Sequence, residues 1–521
     1  MSCHVDPVDI SNGYFYRRKI MKVLLAGYNV DRDVIEDLKR HTPPRDDVTP
    51  ETLSASYARI SRDPRPVDEL RAAARREVER ARRSNQTIIF KMGHHSVAEH
   101  AIFNFDIIGV SRLAVEEIEK FRLCSYTEKS QRYIRLGDDF VLPKEVKNAG
   151  LEDVFLKTIR AQNALYHRLY EKLRPFLFNK YKKIAQNPQN HPVLDGWAKE
   201  DARYIVSLAT QGQLGMTINA RNLELLIRRF AAKKLAEIKE LNAKIYARAK
   251  DVAPSIILFT EASDFDAKAY ADVATAVSLL LGKSKGKSFA WEKDRAAVRL
   301  VDYTPGGDDR ILAALLHSSS SLPYVRCFDR MRTLTARKKK EIIKTALRRM
   351  EFYDFPLREF EYADLTFALI VSASSFAQIK RHRMATLTCQ DYDPALGVTI
   401  PPSVEEIGAR SEFMEVIERT NETYARLKNE VAEASAYVLT NAHRRRVLLK
   451  VNARELYHVS RLRQDPTAQW DIRQTVGRMA ELARKVMPLS FLLLGGKEDY
   501  PELYKDVFGK DPKFFPPRYL K

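Results

Sequence analysis

Cysteine is scarce in this chain: there are four in 521 residues, Cys3, Cys124, Cys327 and Cys389, and no two stand at a metal-ligand spacing. A cysteine-built zinc module and a disulfide framework are thereby excluded, and no metal site is expected. Long hydrophobic runs are missing too. No stretch of about eighteen apolar residues is available to span a bilayer, and no basic segment followed by an apolar core opens the chain as a secretory signal would. A reducing cytoplasm is the expected location. A phosphate loop is absent as well, although Gly282-Lys283-Ser284-Lys285-Gly286-Lys287-Ser288 contains Gly-Lys-Ser twice. Such a loop requires a glycine, four residues and then Gly-Lys-Ser/Thr; here Leu281 holds the required glycine position, so the segment reads as a flexible basic linker.

What is present is a globular composition, 45% hydrophobic and 30% charged, in a chain long enough for two or three domains. A net charge of +20 favours anionic partners, nucleic acid in the plain reading and nucleotides in the sharper one. The densest basic run, Arg337-Lys338-Lys339-Lys340, opens an amphipathic stretch with Ile342, Ile343 and Leu347 and reads as a solvated helix face.

Three landmarks recur in the same order, which is the mark of a duplicated module. Lys22 to Tyr28 is answered by Arg299 to Tyr303, Glu119 to Tyr133 by Lys380 to Tyr392, and Asn219-Ala220-Arg221 by Asn452-Ala453-Arg454. Within each copy, Ile102 to Ile108 and Leu365 to Val371 alternate as half-buried strands, and each leads into a helical stretch, Arg112 to Phe121 and Ser374 to His382. Longer helices are expected over 151–182, 201–209, 223–249, 410–438 and 454–461. The expected fold class is α+β, two homologous domains in tandem, each a sheet packed with long helices. Their bounds are an N-terminal arm over 1–20, a first domain over 21–262, a linker over 263–295, a second domain over 296–505 and a tail over 506–521.

Gly93-His94-His95-Ser96-Val97-Ala98-Glu99-His100, followed by Arg122-x-x-Ser125-x-x-Glu128-x-Ser130-x-Arg132-Tyr133, resembles the flavin-dependent thymidylate synthases. Their signature is RHR-x-x-S-x-N-E-x-S-x-R after an H-x-S/T-x-x-E-H element. The resemblance implies conversion of dUMP to dTMP with methylenetetrahydrofolate, using FAD that NADPH reduces. It also implies a homotetrameric arrangement that two fused copies would imitate as a homodimer. By the same resemblance Glu128, Ser130 and Arg132 hold dUMP, Arg203 binds its phosphate, and Ser61, His94, Ser96 and Glu99 touch FAD. Glu128, Ser130 and Arg132 alternate, which on an extended segment places acceptor, hydroxyl and guanidinium on one face.

Each copy departs from the pattern where the other keeps it. The first has Lys120-Phe121-Arg122 in place of RHR, Thr127 for the signature asparagine, and Phe230 at the position of the base-polarising arginine. The second keeps Arg381-His382-Arg383, with Gln378 as the substrate-contacting glutamine. The resemblance implies that Arg463 polarises the uracil and that Asn452, Arg454 and His458 contact the flavin, and Arg381, His382 and Arg383 are expected beside the FAD phosphates or ring, since guanidinium forks suit a diphosphate. It loses the nucleotide loop, with Thr388, Cys389, Asp391 and Asp393 where Asn, Glu, Ser and Arg are expected, and Ala436 at the position of Arg203. Composite sites are therefore expected, with Gln378, Arg381 and Arg463 orienting a dUMP held by the first copy. Two alternatives stay open: a non-catalytic paralogue binding flavin, nucleotide or nucleic acid, and a flavin enzyme methylating another uracil. Cys389 has no neighbour in sequence that would lower a thiol pKa, so it is not expected to act as a nucleophile.

Overall fold

The computed structural model describes residues 20–41, 47–60, 63–281 and 297–520. Two antiparallel sheets of four strands organise these residues. The first contains β1 (Lys22–Tyr28), β2 (Ile102–Ser111), β3 (Ser125–Glu128) and β4 (Gln211–Asn219) in the order β1-β2-β4-β3. The second contains β5 (Val298–Tyr303), β6 (Asp364–Ser372), β7 (Thr386–Cys389) and β8 (Arg444–Asn452) in the equivalent order β5-β6-β8-β7. The helices used below are α1 (Arg112–Ile118), α2 (Glu152–Lys180), α3 (His191–Ala202), α4 (Ala220–Ala231), α5 (Ala236–Ala249), α6 (Asp264–Leu281), α7 (Ala373–Ile379), α8 (Arg410–Glu430), α9 (Ala453–Arg463) and α10 (Trp470–Val486). The fold is α+β and duplicated, as the sequence reading expects.

Strand alternation explains each core. Phe103, Phe105 and Ile107 of β2 and Leu214, Met216 and Ile218 of β4 point to one face, where Leu223, Leu226, Ile227, Ile238, Leu241 and Ile245 cover them. Leu365, Phe367 and Leu369 of β6 and Val447, Leu449 and Val451 of β8 do the same beneath Leu456, Ile472, Val476 and Met479. Each fully buried side chain of this kind contributes about 1.5–3 kcal/mol.

Both central strands of each sheet end on a residue that caps the next helix. Ser111 Oγ accepts from Ala114 N, Asn219 Oδ1 from Asn222 N, Ser372 Oγ from Ser375 N and Asn452 Oδ1 from Glu455 N. Such caps stabilise a helix start by about 1 kcal/mol and fix which residues emerge at the strand–helix corner.

The compact units do not follow the repeat boundaries. One comprises residues up to Asn163 with Ser207–Gly282 and Thr423–Val438; the other comprises Ala164–Val206, Lys283–Glu422 and Leu439 onward. A segment of each repeat thus belongs to the unit that holds the other repeat's sheet.

Several element readings are corrected. The helix expected over 223–249 is two, α4 and α5, because one straight helix of that length would extend about 40 Å and carry half of its apolar stripe off the sheet. The helix expected over 201–209 stops at Ala202 and tightens into a turn over Arg203–Ile205. There the backbone oxygens of Arg203, Tyr204 and Val206 accept from Asn441 Nδ2, Ala442 N and Asn441 N, which replaces the helical ladder. Helix α8 ends at Glu430, and Ala432–Val438 is a 3-10 segment. Most of the expected linker is α6, whose Asp266 pairs with Arg228. The arm over 1–19, Ser61, and the rest of the linker over 282–296 lie outside the described residues. No helix among the described residues is long and apolar enough to cross a membrane.

Candidate functional site

In the second unit the corner between β6 and α7 presents Ser374 and Gln378 to one buried acceptor and Ser372 to a second. Gln469 Oε1 receives Arg203 Nη2 at 2.9 Å, Gln378 Nε2 at 3.0 Å and Ser374 Oγ at 3.2 Å. Arg203 Nη2 also donates to Ser374 Oγ at 2.8 Å. Beyond this hub Gln469 Nε2 donates to Tyr204 Oη, and Tyr204 Oη donates to Asp471 Oδ2, which accepts from Ser372 Oγ as well. Arg203 and Tyr204 come from the first repeat and the remainder from the second. Two positions proposed from separate motifs, Arg203 and Gln378, therefore meet on one glutamine. Gln378 Oε1 is buried with no hydrogen-bond partner among the described residues, an acceptor held ready for a donor. Gln469 has no role assigned from the sequence, where Ala468-Gln469-Trp470-Asp471-Ile472-Arg473 resembles the end of the family's late flavin and substrate segment.

The first unit repeats part of this network. Glu237 accepts from Ser111 N, Ser111 Oγ and Tyr437 Oη, each at 2.6 Å. Serine, carboxylate and tyrosine thus occur in both units, and in each the tyrosine belongs to the other repeat. Burial raises the carboxyl pKa of Glu237 and of Asp471. The neighbour of Tyr437, Ala436, has no guanidinium, so that position supplies no counterpart of the Arg203 contact.

Asp201 lies under the network, accepting from Trp470 Nε1 at 2.8 Å and Ser403 Oγ at 2.5 Å. Burial, helped by the charge of Glu200, pushes its carboxyl up to about 7 against the opposing pull of those two donors. A carboxyl raised in this way contributes stability that is fully present below its ordinary value of about 4 and is lost as pH rises through about 7. Asp201→Asn is therefore expected to flatten the fall in stability between about pH 4 and pH 7. Urea unfolding followed by Trp fluorescence checks this, and parallel slopes in both proteins would contradict it.

At the end of α7, His382 is buried with Nε2 accepting from Arg463 Nε at 3.0 Å. Burial, and secondarily the Arg463 charge, hold its pKa well below the ordinary value. The equivalent positions of the first unit hold Phe121 and Phe230, edge to face with centroids 5.8 Å apart. A polar pair in one unit is an apolar pair in the other. Arg381 and Arg383 are exposed on either side of His382. Arg454 donates to Pro356 O and pairs with Glu361 at 3.1 Å, and His458 stands 5.3 Å from the Phe355 ring. Asn452 is occupied as the cap of α9.

The nucleotide loop of the first unit is extended only as far as Glu128; beyond it Ser130 Oγ accepts from Arg132 N at 3.1 Å and turns the chain. The expected single face of Glu128, Ser130 and Arg132 is thereby corrected: a local side-chain bond competes with the strand. Glu128 Oε1 lies 3.8 Å from Arg112 Nη1, and the Arg132 guanidinium sits 5.6 Å from the Tyr133 ring. His94 and Ser96 are exposed, and Glu99 pairs with Arg221. In the second unit Asp393 caps the next turn through Ala395 N and faces Arg446 at 3.6 Å.

A family model described as thymidylate synthase complementing protein matches residues 45–255 and 299–489. A UPF0159 protein of Chlamydia muridarum is 24% identical over 408 residues, 76% of this chain and 77% of that protein. A UPF0159 protein of Thermoplasma acidophilum is 23% identical over 84% of this chain and 92% of its own length. A flavin-dependent thymidylate synthase of Geobacter sulfurreducens is 31% identical over 228 residues, 42% of this chain and 83% of that protein.

Proposed function

Because the chain belongs to the thymidylate synthase complementing protein family, we propose that it is a flavin-dependent thymidylate synthase, forming dTMP from dUMP with methylenetetrahydrofolate and NADPH. The observation that carries this reading is the meeting of Arg203 and Gln378 on Gln469 Oε1. A guanidinium oriented by two neutral oxygens suits a phosphate, and the open Gln378 Oε1 suits an N–H donor of a nucleotide base. Arg463, fixed by His382, is the group for a uracil oxygen as negative charge develops there. Glu128, Ser130 and Arg132 enter on the family pattern alone. A homodimer in the cytoplasm completes the proposal.

The chemistry of the residues around His382 fits FAD. Two exposed guanidiniums, Arg381 and Arg383, suit a diphosphate, and half-buried Arg454 and His458 beside Phe355 offer polar and aromatic edges to a ring. Flavin, when bound, would supply hydride; the chain's residues bind it, orient the nucleotide and hold charge. His94, Ser96 and Glu99 of the first unit are proposed as further flavin contacts on the family pattern.

Replacing Arg381 and Arg383 together by alanine is expected to remove flavin from the purified protein while leaving its far-ultraviolet circular dichroism unchanged. Both side chains are exposed, and substitutions at exposed positions usually change stability by only about 0.5 kcal/mol. Full retention of the flavin absorption spectrum would overturn this assignment.

A further inference from the structure

His382, Glu455 and His458 converge in the second unit so that one ligand atom from each lies within 4.8 Å of the others. Glu455 and His458 form a Glu-x-x-His step on α9, one turn apart on the same face. The Asn452 cap, which bonds the Glu455 backbone, fixes the turn that presents them. His382 enters from the end of α7. His382 Nδ1 and Glu455 Oε1 stand 3.8 Å apart, too far for a hydrogen bond. Neither atom has a hydrogen-bond partner among the described residues, and both side chains are buried. Two buried polar atoms facing each other across such a gap are costly unless something bridges them.

The gap matches an ion. Two atoms each about 2.1 Å from one metal, at a tetrahedral or somewhat wider angle, stand roughly 3.4–4 Å apart. Two imidazoles and one carboxylate are also a ligand set that divalent first-row ions accept, with positions left open. We propose that His382, Glu455 and His458 form a binding site for one divalent transition ion of the zinc or ferrous class. The proposal goes beyond the thymidylate reading and does not rest on it. With the ion bound, the two histidines are ligands, and contact with flavin falls to Arg381, Arg383 and Arg454.

One bond must change on loading. Arg463 Nε–H donates to His382 Nε2, so the neutral ring carries its proton on Nδ1. An ion on Nδ1 requires that proton to stand on Nε2, where it faces the donor Arg463. The ion and the Arg463–His382 bond are therefore alternatives, and the guanidinium also opposes the ion by charge. Removing Arg463 tightens the site, whereas removing Glu455 or His458 abolishes it.

The test is titration of the full chain, stripped with chelator, with cobalt(II), reading the visible difference spectrum. The expected result is a ligand-field band that saturates at one equivalent per chain, is lost in Glu455→Gln and in His458→Asn, and forms with on the order of 10–100-fold higher affinity in Arg463→Leu. Glu455→Gln is near-isosteric, and circular dichroism verifies that both site variants are folded. No band from the wild-type protein at one equivalent, or the same band from the folded Glu455→Gln and His458→Asn proteins, overturns the proposal.

Discussion

Arg203→Met is expected to lower kcat/KM for dUMP by about 100–1000-fold, corresponding to roughly 2.7–4 kcal/mol, the typical loss when one oriented charge-assisted donor is removed from a site that excludes water. Its guanidinium is held by Ser374 Oγ and Gln469 Oε1, so little reorganisation is needed when a phosphate arrives. Methionine keeps much of the volume and removes every donor. The flavin spectrum should persist, since Arg203 is assigned to the nucleotide phosphate and not to the flavin. Arg203→Lys should recover part of the loss at best, because a compact ammonium on a flexible stem does not reproduce the planar guanidinium whose Nη2 bonds both serine and glutamine. Steady-state dTMP formation with dUMP varied checks both variants, and an unchanged kcat/KM in Arg203→Met would remove this residue from the site.

Glu237→Leu is expected to destabilise the first unit by about 3–5 kcal/mol. Three donors, Ser111 N, Ser111 Oγ and Tyr437 Oη, lose a common buried acceptor, and a leucine side chain gives nothing in return. Glu237→Gln keeps one carbonyl oxygen and should cost less. The effect should reach the α1 start as well, since Ser111 caps that helix through Ala114 N. Denaturant unfolding followed by circular dichroism measures the difference; a loss below about 1 kcal/mol in the leucine variant would show that the network does not support the unit.

The strands that carry the repeat were legible because they alternate cleanly. Phe103, Phe105 and Ile107, and likewise Leu365, Phe367 and Leu369, state which face is buried without reference to anything distant in sequence. Strands β4 and β8 were missed for an equally local reason. Gln211-Gly212-Gln213 and Arg444-Arg445-Arg446 open them with polar residues, and the apolar alternation that follows is short. The Arg203 and Gln378 positions were read from separate motifs, yet their meeting on Gln469 was not, since a motif states residue type and spacing but not the partner across space. The exchange of segments between repeats was hidden for the same reason. An apolar stripe such as that around Phe155 in α2 says that a face is covered, and only the fold shows that Leu427 and Tyr437 of the other repeat share its core. The convergence of His382 with Glu455 and His458 joins residues more than seventy positions apart and left no trace in spacing.

The central claim is that the second unit, completed by Arg203 of the first repeat, is a working thymidylate-forming site. Its most direct test is the amount of dTMP formed per chain by the flavin-loaded protein supplied with dUMP, methylenetetrahydrofolate and NADPH. The account expects repeated turnovers by the wild-type chain and loss of turnover in Arg463→Leu with flavin still bound. A wild-type chain that binds flavin and yields no dTMP under these conditions would contradict it.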